Sequence, residues 1–213
     1  MAAQFPIEKQ IIVGGVGGIE VALHLLVGAT ASAIAIVAHP HPLFGGSMDN
    51  KVVTTLARAM FDAGAAVFRF NFRGVGKTEG AHDEGRGETD DMLTVITHAR
   101  TMLADAAIPL WMGGFSFGGA VALAASARVN VDQMVLVAPA FERLSHWDAV
   151  EGGGKPPPST LLIHGEKDET VAVADSIAWA GTRDLAVTVV PNADHFFHQR
   201  LHIIKRLVQQ HLR

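Results

Sequence analysis

Cysteine is absent from all 213 residues. Disulfides and thiolate nucleophiles are therefore excluded, which is compatible with any compartment and slightly favours a reducing one. Charge is also sparse: 18% of residues are charged and the formal net charge is −4. No basic surface is implied, so nucleic acid is not an expected partner. The first ten residues, MAAQFPIEKQ, lack a basic stretch followed by an apolar one, so no secretory signal is expected and the cytoplasm is the expected location. Residues 21–38 come nearest to a long hydrophobic run. They contain His24, Thr30 and Ser32, with a turn-like GATAS at 28–32, which predicts two buried strands joined by a loop and no membrane span.

What remains is a hydrophobic chain, 49% apolar, long enough for one domain with a substantial core. Strands are expected at 10–13, 19–26, 33–38, 65–70, 108–112, 131–138, 160–164 and 186–190. Helices are expected at 48–63, 88–105, 120–127, 171–180 and 196–212. Gly152 to Gly154 and Pro156 to Pro158 mark a loop. Apolar strands alternating with helices predict a mostly parallel sheet covered on both faces.

Residues 113–119 read GGFSFGG, between a predicted strand and a predicted helix. A serine with glycines two residues before and after it matches the strand–turn–helix pattern that exposes a nucleophile. The turn is too tight for side chains at 114 and 118. Ser116 would project from the top of the sheet, with the amide of Phe117 beside it at a helix N-terminus, placed to stabilise an oxyanion.

A serine nucleophile needs a base, and the base an acid that orients it. Both should lie at carboxyl ends of strands. Asp168, in HGEKDETV, and His195, in PNADHFFH, follow the last two predicted strands. The order serine, acid, histidine agrees with a serine hydrolase. Asp168 could instead cap the next helix. Asp175 and Asp194 are rival acids, the first within a predicted helix and the second adjacent to His195. His198, His202 and His211 read as surface residues of the last helix, and His164 as a strand residue packed near the site.

Other motifs fail their tests. Residues 74–78, GVGKT, imitate the end of a phosphate-binding loop, but position 71 is Asn where that loop needs glycine. Gly15 and Gly17 precede a strand pattern, which removes a dinucleotide reading. His39 and His41 could suggest a metal pair, but no partner cluster is spaced for one, so no metal is expected.

The segments HPHPLFGGSMDNKV at 39–52, NFRGVGKTEG at 71–80 and GFSFGG at 114–119 resemble those of small, lidless bacterial members of the α/β-hydrolase superfamily. The resemblance spans essentially the whole chain. It implies one α/β-hydrolase domain over 1–213, a mixed eight-stranded sheet with its second strand antiparallel, and cofactor-free hydrolysis of an ester-like bond. It also implies that the loop after the third strand supplies the second oxyanion donor. Pro40 and Pro42 have no amide hydrogen, which leaves His41 first and Leu43 second, with a cis bond conceivable before Pro42. The short segment after residue 139 implies an open, shallow pocket. Phe44, Phe115, Phe141 and Phe196 are the expected acyl-pocket residues, for a short ester or thioester. A binding scaffold without activity and a thioesterase or dienelactone-type hydrolase are the alternatives; the last commonly uses the cysteine that is missing here.

Overall fold

The computed structural model describes residues 5–105, 107–144 and 156–213. The first four residues and the glycine triplet at 152–154 lie outside that range. A single sheet of eight strands runs through the molecule. The strands are β1 (Glu8–Gly14), β2 (Gly17–His24), β3 (Ala33–Ala38), β4 (Ala65–Phe70), β5 (Leu110–Phe115), β6 (Gln133–Val137), β7 (Thr160–Gly165) and β8 (Val187–Val190). Their spatial order is β1-β2-β4-β3-β5-β6-β7-β8. β2 runs antiparallel to both of its neighbours, and every pairing from β4 to β8 is parallel.

The α-helices among the described residues are α1 (Lys51–Asp62), α2 (Arg86–Met102), α3 (Phe117–Ala125), α4 (Val173–Gly181) and α5 (Leu201–His211). Because side chains alternate along a strand, β3 divides its apolar run between two cores. Ile34 and Ile36 pack with residues of α2 and α3. Ala33, Ala35 and Val37 pack with residues of α1 and α5. None of the described helices is long and apolar enough to cross a membrane.

The last helix begins at Leu201, five residues later than its apolar pattern suggests. Phe197 and Gln199 take positive φ values of 53° and 59°, and Phe197 is fully buried. The segment after His195 is thus folded into tight turns that sink Phe197 into the core, and helix can start only beyond them. α1 likewise begins three residues late, because Asn50 caps it by accepting from the amide of Val52 at 2.9 Å. The bond before Pro42 is trans.

The NFRGVGKTEG segment closes a polar staple. Asn71 Nδ2 donates to Glu20 at 2.8 Å, Thr78 donates to the carbonyl of Asn71 at 2.8 Å, and the amide of Lys77 donates to Glu20 at 3.0 Å. Arg73 is held by Asp91 through two side-chain bonds of 3.0 and 2.8 Å. A Cβ on Gly76 would lie 2.5 Å from Asn71 Nδ2 and Glu20 Oε2, so this glycine of the phosphate-loop look-alike has a structural explanation.

Candidate active site

At the carboxyl end of β5 the chain turns sharply into α3. Ser116 sits at φ 55°, ψ −120°, a region that side-chain-bearing residues rarely occupy. Its hydroxyl does not cap α3. A Cβ on Gly114 would collide with the carbonyl of Gly118, and one on Gly118 would lie 2.6 Å from the carbonyl carbon and oxygen of Ala38. The two glycines are therefore required by close backbone approach, between the turn and its own helix and between the helix and β3.

Asp168 lies on the turn after β7 and His195 on the loop after β8. His195 Nε2 is 3.2 Å from Ser116 Oγ, and its Nδ1 is 2.7 Å from Asp168 Oδ2. An ionised carboxylate only accepts, so Nδ1 carries the proton and Nε2 offers its lone pair to the serine hydroxyl. The other oxygen, Oδ1, accepts from the amides of Thr170 and Val171 at 2.9 and 2.8 Å. Burial alone would raise the pKa of Asp168. Hydrogen bonding with His164, His195 and the amide of Val171 outweighs it and holds the carboxyl well below the usual range. The group is ionised at neutral pH.

Behind the acid stands His164, fully buried on β7. Its Nε2 lies 3.0 Å from the carbonyl oxygen of Val171 and 3.3 Å from Asp168 Oδ2, while Nδ1 is 2.8 Å from Ser176 Oγ. Nε2–H can be shared between the carbonyl of Val171 and Asp168 Oδ2, with the Ser176 hydroxyl donating to Nδ1. The turn carrying Asp168 is thereby clamped from below. A histidine shortly before the turn was visible in the sequence as a neighbour of the site; its serine partner on α4 was not.

The rival acids lie away from His195 Nδ1, which is paired with Asp168. Asp194 Oδ2 pairs with His198 Nδ1 at 2.7 Å, and Asp175 borders a separate hollow beside Phe141. His198 and His202 are exposed, whereas His211 is half-buried. The nitrogens of His39 are both committed, Nδ1 at 2.6 Å from the carbonyl oxygen of Pro40 and Nε2 accepting from the amide of Phe72 at 2.9 Å. It is a buried neutral brace under the proline loop, with neither nitrogen left for a metal.

Above Ser116 is a cavity of about 120 Å³. Its lining includes Pro40, His41, Phe44, Asn50, Ser116, Phe117, Ala140, Thr170, Val171, His195 and Phe196. Of the four phenylalanines expected around an acyl pocket, Phe44 and Phe196 are in the lining. Phe115 and Phe141 are not in the lining. Phe115 is fully buried with its ring 4.8 Å from that of His195, and Phe141 stacks on Trp179 at 4.2 Å. The alternation of β5 turns Phe115 under the histidine, and Phe141 is drawn to the indole beyond the rim. Of the two oxyanion candidates, Leu43 spends its amide on His41 Nδ1 at 3.2 Å, which counts against it. The ring of His41 packs 4.9 Å from that of Phe117, so the two remaining candidate residues stand side by side. Asn50, Thr170 and Val171 were missed, because nothing in their local sequence distinguishes rim from surface.

This architecture recurs among known proteins. The sequence family described as serine aminopeptidase, S33, matches residues 43–152, just over half of the chain. An uncharacterised protein of Rickettsia prowazekii (strain Madrid E) is 30% identical over 84% of this chain and 78% of its own. An alpha-beta serine hydrolase homologue from Coxiella burnetii is 35% identical, superimposes with a TM-score of 0.86 and covers 97% of both chains. A Xanthomonas campestris protein described as a serine hydrolase without lid is 36% identical, with a TM-score of 0.86 over 98% of this chain and 95% of its own. The chain belongs to this serine hydrolase family of the α/β-hydrolase superfamily.

Proposed function

We propose that the protein hydrolyses a carboxylic ester-like bond through an acyl-enzyme on Ser116. The observation that carries this reading is the unbroken hydrogen-bonded chain from Ser116 through His195 to Asp168, built at one rim from three separate loops. His195 Nε2 takes the hydroxyl proton as Ser116 Oγ attacks the carbonyl carbon. Asp168 orients the ring and stabilises its cationic form. The oxyanion lies between the amides of Phe117 and His41. His195 then protonates the leaving alcohol and activates water against the acyl-enzyme. No cofactor enters these steps.

The cavity supports a small, neutral acyl group. Its volume is well under the roughly 300–1,000 Å³ of pockets that enclose drug-sized ligands, and among the described residues its lining has no Lys, Arg, Asp or Glu. An aminopeptidase must bind the ammonium of a peptide N-terminus, which calls for a carboxylate that the described lining lacks, so a carboxylesterase-like activity on a short ester or thioester is the better reading. A fluorophosphonate probe tests it: Ser116 is expected to be labelled, and short nitrophenyl esters to be hydrolysed in preference to long ones. A folded protein that resists the probe would instead be a binding scaffold.

A further inference from the structure

The segment SMDN, residues 47–50, is held far more firmly than the end of a loop requires. The amide of Met48 donates to Asn71 Oδ1 at 2.8 Å. The fully buried guanidinium of Arg69 donates to the carbonyl of Met48 and to Asp49 Oδ1. The amide of Asn50 donates to the carbonyl of Ser47 at 3.0 Å. These contacts place Asn50 at the edge of the Ser116 cavity, where it forms part of the lining.

Its side-chain amide is oriented by chemistry as well as packing. Only oxygen can accept from the helix amides, and Oδ1 takes that of Val52 at 2.9 Å and approaches that of Val53 at 3.5 Å. Nδ2 must then point away from the helix terminus. Among the described residues it has no protein partner, and it is not sealed off from solvent. The residue that carries this uncommitted N–H donor therefore lines a cavity in which none of the described lining side chains is Lys, Arg, Asp or Glu. Such a donor discriminates well, because a ligand group that occupies its place without accepting leaves it unpaired.

We propose that Asn50 is a specificity-determining residue, its Nδ2 donating to an acceptor oxygen in the substrate. The substrate is then a neutral ester with an ether, hydroxyl or carbonyl oxygen in its acyl or alcohol portion. This rests on Ser116 being the nucleophile, and the test separates the two claims. It uses three pairs in which oxygen replaces methylene: nitrophenyl methoxyacetate against butyrate, nitrophenyl 3-methoxypropionate against pentanoate, and 2-methoxyethyl against butyl butyrate. The readout is the kcat/KM ratio within each pair, compared among the wild-type chain, Asn50→Asp and Asn50→Ser. Intrinsic reactivity cancels because every enzyme form meets the same esters.

Both replacements are good helix caps, and unfolding curves confirm that the variants are folded. In at least one pair the ratio is expected to fall about threefold to tenfold in both variants, the scale of one hydrogen bond. Ratios unchanged in all pairs would overturn the proposal. So would a fall confined to Asn50→Asp, which would signal charge repulsion. Failure of the wild-type chain to hydrolyse any of the esters, with Ser116 unlabelled by fluorophosphonate, would remove the nucleophile itself.

Discussion

Gly165 and Ala193 lie so close that a Cβ on Gly165 would sit 2.5 Å from the Ala193 carbonyl oxygen. Next to this contact the amide of Lys167 donates to the same carbonyl at 2.9 Å, and that of Glu166 to the carbonyl of Val190 at 3.0 Å. The turn bearing Asp168 and the loop bearing His195 are thus joined backbone to backbone. The 2.7 Å contact between the two side chains follows from that join.

Gly165→Ala is expected to force these loops apart. Backbone cannot yield as a side-chain end can, so stability should fall by about 1–3 kcal/mol, and fluorophosphonate should label Ser116 more slowly. Gly181, at the end of α4, has open space where a Cβ would stand, with nothing within 4 Å, and Gly181→Ala serves as the control with stability unchanged or slightly raised. Urea unfolding and labelling kinetics measure both. Equal behaviour of the two variants would contradict the role given to Gly165.

Ser116→Ala should abolish probe labelling and lower ester hydrolysis by at least about 10³-fold, since removing a nucleophile leaves only the contribution of binding and oxyanion donors. Asp168→Asn preserves shape but favours the wrong imidazole tautomer, and a loss on the order of 10⁴-fold in kcat is expected. Steady-state kinetics with a short nitrophenyl ester check both. Wild-type kcat in the Asp168→Asn variant would remove Asp168 from the mechanism.

Among the described residues, the side chain of Ser176 reaches the site through His164. Ser176→Ala leaves a buried imidazole nitrogen without its partner, which should reduce stability by about 1–3 kcal/mol. It also loosens the clamp beneath Asp168. The expected kinetic signature is a lower kcat with KM nearly unchanged, because His164 and Ser176 are absent from the cavity lining. An effect on KM alone would point to a different role.

Folding stability should decline as pH falls from 6.5 towards 4. Burial pushes both His24 and His39 down to about 4, the neighbouring Arg69 adding to the effect at His24. Each also accepts a hydrogen bond at Nε2, from Arg69 and from the amide of Phe72 respectively. Well above pH 6.5 both are neutral whether the chain is folded or not. Between 6.5 and about 4 the unfolded chain binds two protons that the folded chain refuses, and below about 4 their contribution to the loss is complete. The slope near pH 5 is then on the order of 2 kcal/mol per pH unit. Urea titrations at pH 7, 6 and 5 measure it; a flat profile would show that these histidines accept protons without unfolding.

Local chemistry made much of this protein legible in its sequence. The glycines at 114 and 118 declared a turn that tolerates no side chain, and strand ends located Asp168 and His195, because parallel sheets deliver their loops to one rim. The mixed sheet with its antiparallel β2 came through resemblance to known hydrolases, since pairing between distant strands leaves no local trace.

Tertiary packing decided the rest. Phe115 and Phe141 share their chemistry with Phe44 and Phe196, yet the pleat of β5 and the indole of Trp179 turn them away from the cavity. Leu43 and His41 both carry an amide hydrogen, and only the fold of the proline loop shows that Leu43 has spent its own on the His41 ring. Asn50 reads in the sequence as one residue of a predicted helix. Its cap geometry, and the side chains of Arg69 and Asn71 beneath it, exist only once strands far apart in the chain have met. Residue order sets which groups are available, and long-range packing sets which way each one faces.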